Sequence, residues 1–174
     1  MDAKDKMFVA PDALMAPLQA HSGEEAVEEL LMALHNSQRI PEAPIPNARQ
    51  AAGAGPVTFC GGIAITSIRI PSLDRVVVAL GTCPRGVRFV SNPQDEASVV
   101  LLAAWGDASE SDLPGRREAL VDLTADPGFQ RAILTATSAE EAAACFPSAP
   151  AGHYRTVFTR HYAPLVPELV YVTD

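Results

Sequence analysis

The chain has 174 residues, of which 48% are hydrophobic and 20% are charged. This composition excludes a largely disordered protein, which needs low hydrophobicity and high charge, and the length fits one domain or one domain with a tail. Thirteen Lys and Arg residues against 21 Asp and Glu residues leave a formal net charge of −8. Because nucleic-acid binding rests on cationic contacts to phosphate, we expect no nucleic-acid partner.

The cysteines and the first residues bear on cofactors and location. Cys60, Cys83 and Cys145 have unrelated spacings and join no Cys/His quartet, so we expect no metal site and no cofactor. The N-terminal residues lack the apolar segment of a signal peptide, and no run of apolar residues is long enough to span a membrane. The prediction is a reduced, cytoplasmic protein without membrane insertion.

The clearest predicted helix runs from Ser22 to about Ser37. Ser22 and Glu25 have the spacing of a capping box, in which hydroxyl and carboxylate each accept from a free backbone N–H group. An apolar stripe with helical spacing follows, made of Val27, Leu30, Leu31 and Leu34. We expect the histidines at the two ends of this helix, His21 and His35, to be solvated.

A stretch rich in proline and glycine over residues 40–56 predicts a loop, in which the segment ARQAA at 48–52 could form one helical turn, and short β-rich runs follow it. Two of these runs, Val76–Val78 and Val99–Leu102, are apolar at every position. Continuous apolar runs are typical of strands that are covered on both faces, as in an α/β sandwich. The sequence CPRG at 83–86 predicts a turn between two strands, since proline and glycine supply the bends.

Three helices are predicted after residue 106. Asp112 or Ser111, then Asp126, and then Ser138 can each act as a helix N-cap, and a proline lies in the first turn of the first two helices. Beyond residue 147 the sequence changes to two predicted strands, YRTVFTRHY and ELVYV; His153 directly precedes the first of them and His161 lies within it. We therefore divide the chain into an α/β domain over 1–147 and an extension over 148–174. The extension is expected to add strands to the sheet or to form a homodimer contact.

A motif in the middle of the chain resembles a known family. Residues Gly62–Arg75 read GIAITSIRIPSLDR. This string resembles the GIAIPHxRxPxLxR signature of type-2 enzyme IIA domains of the phosphoenolpyruvate:sugar phosphotransferase system, the fructose, mannitol and nitrogen-regulatory group. The similarity extends from about Phe8 to Phe146. It implies a mixed sheet of about five strands sandwiched by helices, to which the extension would add a C-terminal β segment.

The resemblance also implies where the family's chemistry would lie. In the family, the histidine of GIAIPH accepts a phosphoryl group from a phosphocarrier protein, and the matching dipeptide here is Thr66-Ser67. The second active-site histidine of the family would fall near Asp112, where this sequence has none. Arg49 resembles the family arginine that helps to neutralise the phosphoryl group, and Cys60 would lie close to Ser67. A serine hydroxyl without an adjacent base is a weak nucleophile, so we expect no catalytic residue and no relay at Ser67.

Three functions remain open at this point. The first is a non-catalytic regulatory protein that binds a protein partner, such as a transporter, a kinase or another regulator, through the inherited surface. The second is an active phosphocarrier that uses a displaced histidine such as His153. The third is a sensor that holds an anion in the former active-site cleft through Arg49, Thr66 and Ser67. Two of these candidate residues also have a purely structural interpretation: Arg49 could be a solvated loop residue, and Ser67 could be a hydroxyl at the end of a strand that bonds to backbone.

Overall fold

The structure is a computed structural model that describes residues 13–15, 17–41, 47, 50–52, 55–146 and 155–157. Its strands are β1 Ala13–Met15, β2 Thr58–Cys60, β3 Ile63–Arg69, β4 Val77–Phe89, β5 Asn92–Trp105 and β6 Arg155–Val157. Its helices include α1 Gly23–Asn36, α2 Leu113–Ala125, α3 Pro127–Thr135 and α4 Ala139–Ala144. The described strands form one six-stranded sheet in the spatial order β2-β3-β5-β4-β1-β6.

The strand directions decide which loops meet. β3 runs parallel to β5, whereas β4 and β5 are antiparallel neighbours. The segments that follow β3 and β5, residues 70–75 and 106–112, therefore leave the sheet at the same end. β1 is parallel to β4, and α1 follows β1 and returns along the sheet, so the C-terminal end of α1 lies at that end as well.

Both faces of the sheet are covered, because alternate residues of the central strands belong to different cores. On one face, Ala64 of β3 packs in a cluster that contains Leu30 of α1. On the other face, Ile65 clusters with Leu120 of α2 and Ile133 of α3. All five side chains are fully buried. The predicted fold class, a mixed sheet sandwiched by helices, is confirmed.

The predicted turn at Cys83–Gly86 is wrong. These residues lie inside the long strand β4, where the pairing with β5 shifts register and Gly86 takes a left-handed φ of 70°. Among the described residues, β1 pairs only with Ala79–Gly81 of β4, so no described strand lies beside Pro84 on the side away from β5. Proline is tolerated at such an edge and at a bulge, and the chain reverses later, at Val90–Ser91.

The predicted helix starts are confirmed at Ser22 and Ser138. Each hydroxyl accepts a hydrogen bond from a backbone N–H group three residues later, at 3.2 Å and 3.1 Å. The Glu25 carboxylate accepts from the N–H group of His21 at 2.8 Å, one residue before the cap. The capping interaction therefore extends one residue further back than the sequence pattern predicts.

A strand from the C-terminal part of the chain joins the sheet. β6 pairs in parallel with β1 and extends the sheet beyond it, in agreement with the expected additional C-terminal β segment. The boundary between domain and extension, and the dimer contact, stay predictions. The other residues of the extension, with His153 and His161, lie outside the described residues.

Helix α1 ends in a Schellman motif. Gln38 has a φ of 57° and donates its N–H group to the His35 carbonyl at 2.9 Å. The N–H group of Arg39 donates to the Leu34 carbonyl at 2.8 Å. These bonds satisfy carbonyls that a helix end leaves free, and they place Arg39 beside the last turn.

We expect Gln38→Gly to raise the free energy of unfolding by about 0.5 to 1 kcal/mol. An L-residue in the left-handed region is destabilised by about 1–2 kcal/mol, and glycine avoids this penalty. The larger conformational entropy of glycine in the unfolded chain offsets only part of the resulting gain in stability. Urea unfolding followed by circular dichroism measures the change. Gln94→Gly on the exposed part of β5 is the control and should lower stability; an equal loss in both variants would refute the expectation.

Candidate functional site

The residue that the resemblance aligns with the family's phosphorylated histidine lies near the end of β3. Ser67 is half-buried and stands opposite Ala103 of β5. A Cβ atom added to Gly55 would lie 3.5 Å from the Ser67 carbonyl oxygen, so the segment before β2 packs against this position. Within the part of the chain that the structure describes, the Ser67 hydroxyl makes no hydrogen bond.

Thr66 lies on the opposite face of the sheet from Ser67, because side chains alternate along a strand. It is 1% exposed and stands between Ala64 and Ile68, which both belong to the core on the α1 side. Its Oγ1 atom is buried without a hydrogen-bond partner among the described residues. A ligand could contact this hydroxyl only if the core around β3 opened.

Two contacts tie the loop after β3 to the segment after β5. The Arg69 guanidinium donates to Asp107 Oδ1 from Nε at 2.9 Å and from Nη2 at 2.5 Å. The Ile70 N–H group donates to the Trp105 carbonyl at 2.7 Å. Both partners of the ion pair are more than half exposed, so the pair adds little stability and leaves two charged groups on the surface near Ser67.

Asp112 occupies the predicted N-cap position of α2, but its carboxylate makes no capping hydrogen bond. Its backbone is helical rather than extended, and its carbonyl accepts from the Arg116 N–H group at 3.1 Å. Among the residues described, no hydrogen bond or ion pair joins Asp112 to Ser67. Arg49, which the sequence also predicts as a site residue, lies outside the described residues.

The expectation that Cys60 lies close to Ser67 is wrong. Cys60 pairs with Ile63 at the start of β3, four residues before Ser67, which corresponds to about 13 Å along a strand. Its Sγ atom instead lies 3.4 Å from the Thr124 carbonyl oxygen and 3.5 Å from Gln130 Nε2. The thiol is therefore held against α2 and α3, at the other end of β3.

A cleft of about 500 Å³ opens at the end of the sheet where α1 finishes. The described residues that line it are His35 and residues 38–41 on one side and residues 72–75 on the other. His35 Nδ1 and Arg39 Nε are buried and have no hydrogen-bond partner among the described residues. His35 is half-buried, so the expected solvation applies to only part of this side chain. The sequence does not reveal the cleft, because Arg75 joins His35 and Arg39 only through the fold.

The described residues contain no group of three His, Cys, Asp or Glu residues that is arranged to hold a metal ion. None of their helices combines the length and the apolar character needed to cross a membrane.

Solved structures similar to this chain are enzyme IIA domains. The mannitol enzyme IIA of Escherichia coli is 18% identical, with a TM-score of 0.62 over 80% of this chain and 99% of that one. The nitrogen regulatory protein IIA-Ntr of Neisseria meningitidis is 16% identical, with a TM-score of 0.60 over 77% of this chain and 92% of that one. The same mannitol enzyme, solved in complex with phosphorylated enzyme IIB, superposes with a TM-score of 0.59 at 18% identity, over 80% of this chain and 96% of that one.

The sequence comparisons give no match, either to a protein-family model or to a curated protein. At 16–18% identity the structural likeness shows the fold. It confirms, at that level, the resemblance that the GIAITSIRIPSLDR motif indicates. This fold is that of enzyme IIA domains.

Proposed function

We propose that this chain is an enzyme IIA-like protein that does not relay phosphoryl groups and acts by binding another protein. The fold shared with enzyme IIA domains supports the first part, together with the motif at Gly62–Arg75. The replacement of the family's histidine by Ser67 supports the loss of the relay. The predicted setting is the cytoplasm.

The environment of Ser67 is the observation that carries the proposal. An alkyl hydroxyl becomes a useful nucleophile when a general base within hydrogen-bond reach takes its proton. The Ser67 hydroxyl has no such partner among the described residues, and the nearby Asp107 carboxylate is already paired with Arg69. A phosphoserine would moreover be a stable ester, unlike the reactive phosphoimidazole that a relay needs.

The surface around the end of β3 is the proposed docking surface. The mannitol enzyme IIA of Escherichia coli has been solved in complex with phosphorylated enzyme IIB, so a domain of this fold can act through a protein complex. In this chain Arg69 at the end of β3 and Asp107 after β5 form an exposed pair of opposite charges, and such charges contribute to the orientation of a partner. The proposed partner is a transporter, a kinase or another regulator.

A phosphorylation assay tests the loss of the relay. The full chain is incubated with phosphoenolpyruvate, enzyme I and the phosphocarrier protein, and intact mass spectrometry records any added phosphate. We expect no added phosphate, whereas the mannitol enzyme IIA of Escherichia coli, as a matched control in the same reaction, should be phosphorylated. An acid-labile phosphate on any histidine of this chain, for example His153, would overturn the proposal in favour of an active phosphocarrier.

A further inference from the structure

We propose that the cleft between the end of α1 and residues 72–75 binds a small molecule that carries an oxyanion, either a phosphate or a carboxylate group. The described lining of this cleft includes neither Thr66 nor Ser67. The site is thus distinct from the position that corresponds to the family's chemistry. The inference does not depend on the function proposed above.

The charge of the lining favours an anion. Arg39 and Arg75 face one carboxylate in the described lining, that of Asp74. Neither arginine forms an ion pair or a side-chain hydrogen bond with any described residue, although the protein as a whole carries a net charge of −8. In an acidic protein, two arginines that line one cleft without a paired acid among the described residues form a local site of positive charge.

Two unsatisfied polar atoms point to a missing partner. Buried polar groups nearly always have a hydrogen-bond partner, and His35 Nδ1 and Arg39 Nε have none among the described residues. A guanidinium binds a carboxylate or a phosphate in a bidentate manner, and Nε is one of the donors that it uses. An oxyanion in the cleft could accept from Arg39 Nε and, when Nδ1 carries a proton, from His35 as well.

The negative end of the α1 dipole opposes an anion here, but the helix end is capped. The backbone N–H groups of Ser37, Gln38 and Arg39 donate to carbonyls of the last turns, at 3.0, 2.9 and 2.8 Å. The Ser37 hydroxyl adds bonds to the Ala33 and Leu34 carbonyls at 2.8 and 3.1 Å. The dipole effect arises largely from free carbonyl groups, so this capping weakens the repulsion that the end of α1 exerts on an anion. The repulsion that is left is smaller than the attraction exerted by two full positive charges.

The size and the apolar part of the cleft indicate a ligand larger than a free ion. A volume of about 500 Å³ is within the range of small-molecule sites. Ile40 and Leu73 contribute to its lining and are themselves almost fully buried. The ligand class is therefore a small organic phosphate or carboxylate with an apolar portion.

Titration calorimetry with inorganic phosphate and, separately, with malonate tests the site, with sodium chloride at matched ionic strength as the reference. We expect saturable binding of at least one probe, and the better probe distinguishes phosphate from carboxylate ligands. In the double variant Arg39→Gln/Arg75→Gln, affinity should fall by at least about tenfold, because the charge-assisted hydrogen bonds of both guanidinium groups to the oxyanion are lost. The control Arg85→Gln/Arg131→Gln removes two exposed charges outside the cleft and should bind as the unmodified protein does.

Amide chemical-shift mapping on the unmodified protein keeps the test valid if the double variant does not fold. The shifts induced by the bound probe should cluster at residues 35–41 and 72–75. Shifts that cluster at Ser67, no binding beyond the chloride reference, or equal affinity in the folded double variant would each overturn the proposal.

Discussion

Gly106→Ala is expected to lower the free energy of unfolding by about 3 kcal/mol, because the added methyl group would collide with backbone. A Cβ atom at Gly106 would lie within 2.2 Å of the Leu73 carbonyl oxygen and 2.7 Å of the Ile70 carbonyl oxygen. Backbone cannot rotate away as a side chain can. The loop after β3 would have to move, at the expense of the hydrogen bond from Ile70 to the Trp105 carbonyl.

Gly55→Ala is the matched control, since the nearest atoms to its added Cβ would be at an ordinary 3.5 Å. Chemical denaturation of both variants measures the difference, and a loss at Gly106 no larger than that at Gly55 would refute the expectation. The same displacement would move Leu73, which lines the cleft. We therefore also expect weaker binding of the oxyanion probes to any folded Gly106→Ala protein.

The free energy of unfolding should fall as pH rises from 9 to 12, and Cys83 should account for part of the fall. Burial, and secondarily the Glu29 carboxylate, raise the pKa of this thiol from 9.0 to about 12. Between these values the unfolded chain releases the Cys83 proton, whereas the folded protein retains it. Proton release then favours unfolding by about 1.4 kcal/mol per pH unit, and the contribution is absent below pH 9.

Urea unfolding of the unmodified protein and of Cys83→Ala across this pH range isolates the effect of the thiol. The other alkaline titrations are common to both proteins, so the unmodified protein should lose stability more steeply. Cys83 is 3% exposed, and we also expect it to react with a thiol reagent only on unfolding. Parallel stability curves for the two proteins would contradict the raised pKa.

Local chemistry explains which elements could be predicted from the sequence. The cap at Ser22 and the apolar stripe of α1 act within a few residues of each other, so the helix bounds follow from the pattern. The unbroken apolar run Val99–Leu102 predicts burial on both sides, since no alternation leaves a polar face. The motif at Gly62–Arg75 adds the family likeness and hence the order of the layers.

Partners that are distant in sequence decided the rest. The residues Cys83–Gly86 form a bulge rather than a turn because β5 pairs with β4 on both sides of them, at Thr82 and at Val87, and a local pattern contains no information on that distant partner. Thr66 and Ser67 are adjacent in the motif, but the pleat directs one into the core and leaves the other half-buried. The cleft depends on the parallel pairing of β3 with β5, which brings the loop containing Arg75 to the end of α1. Short-range propensity therefore determined the elements, and long-range packing determined which charged groups meet.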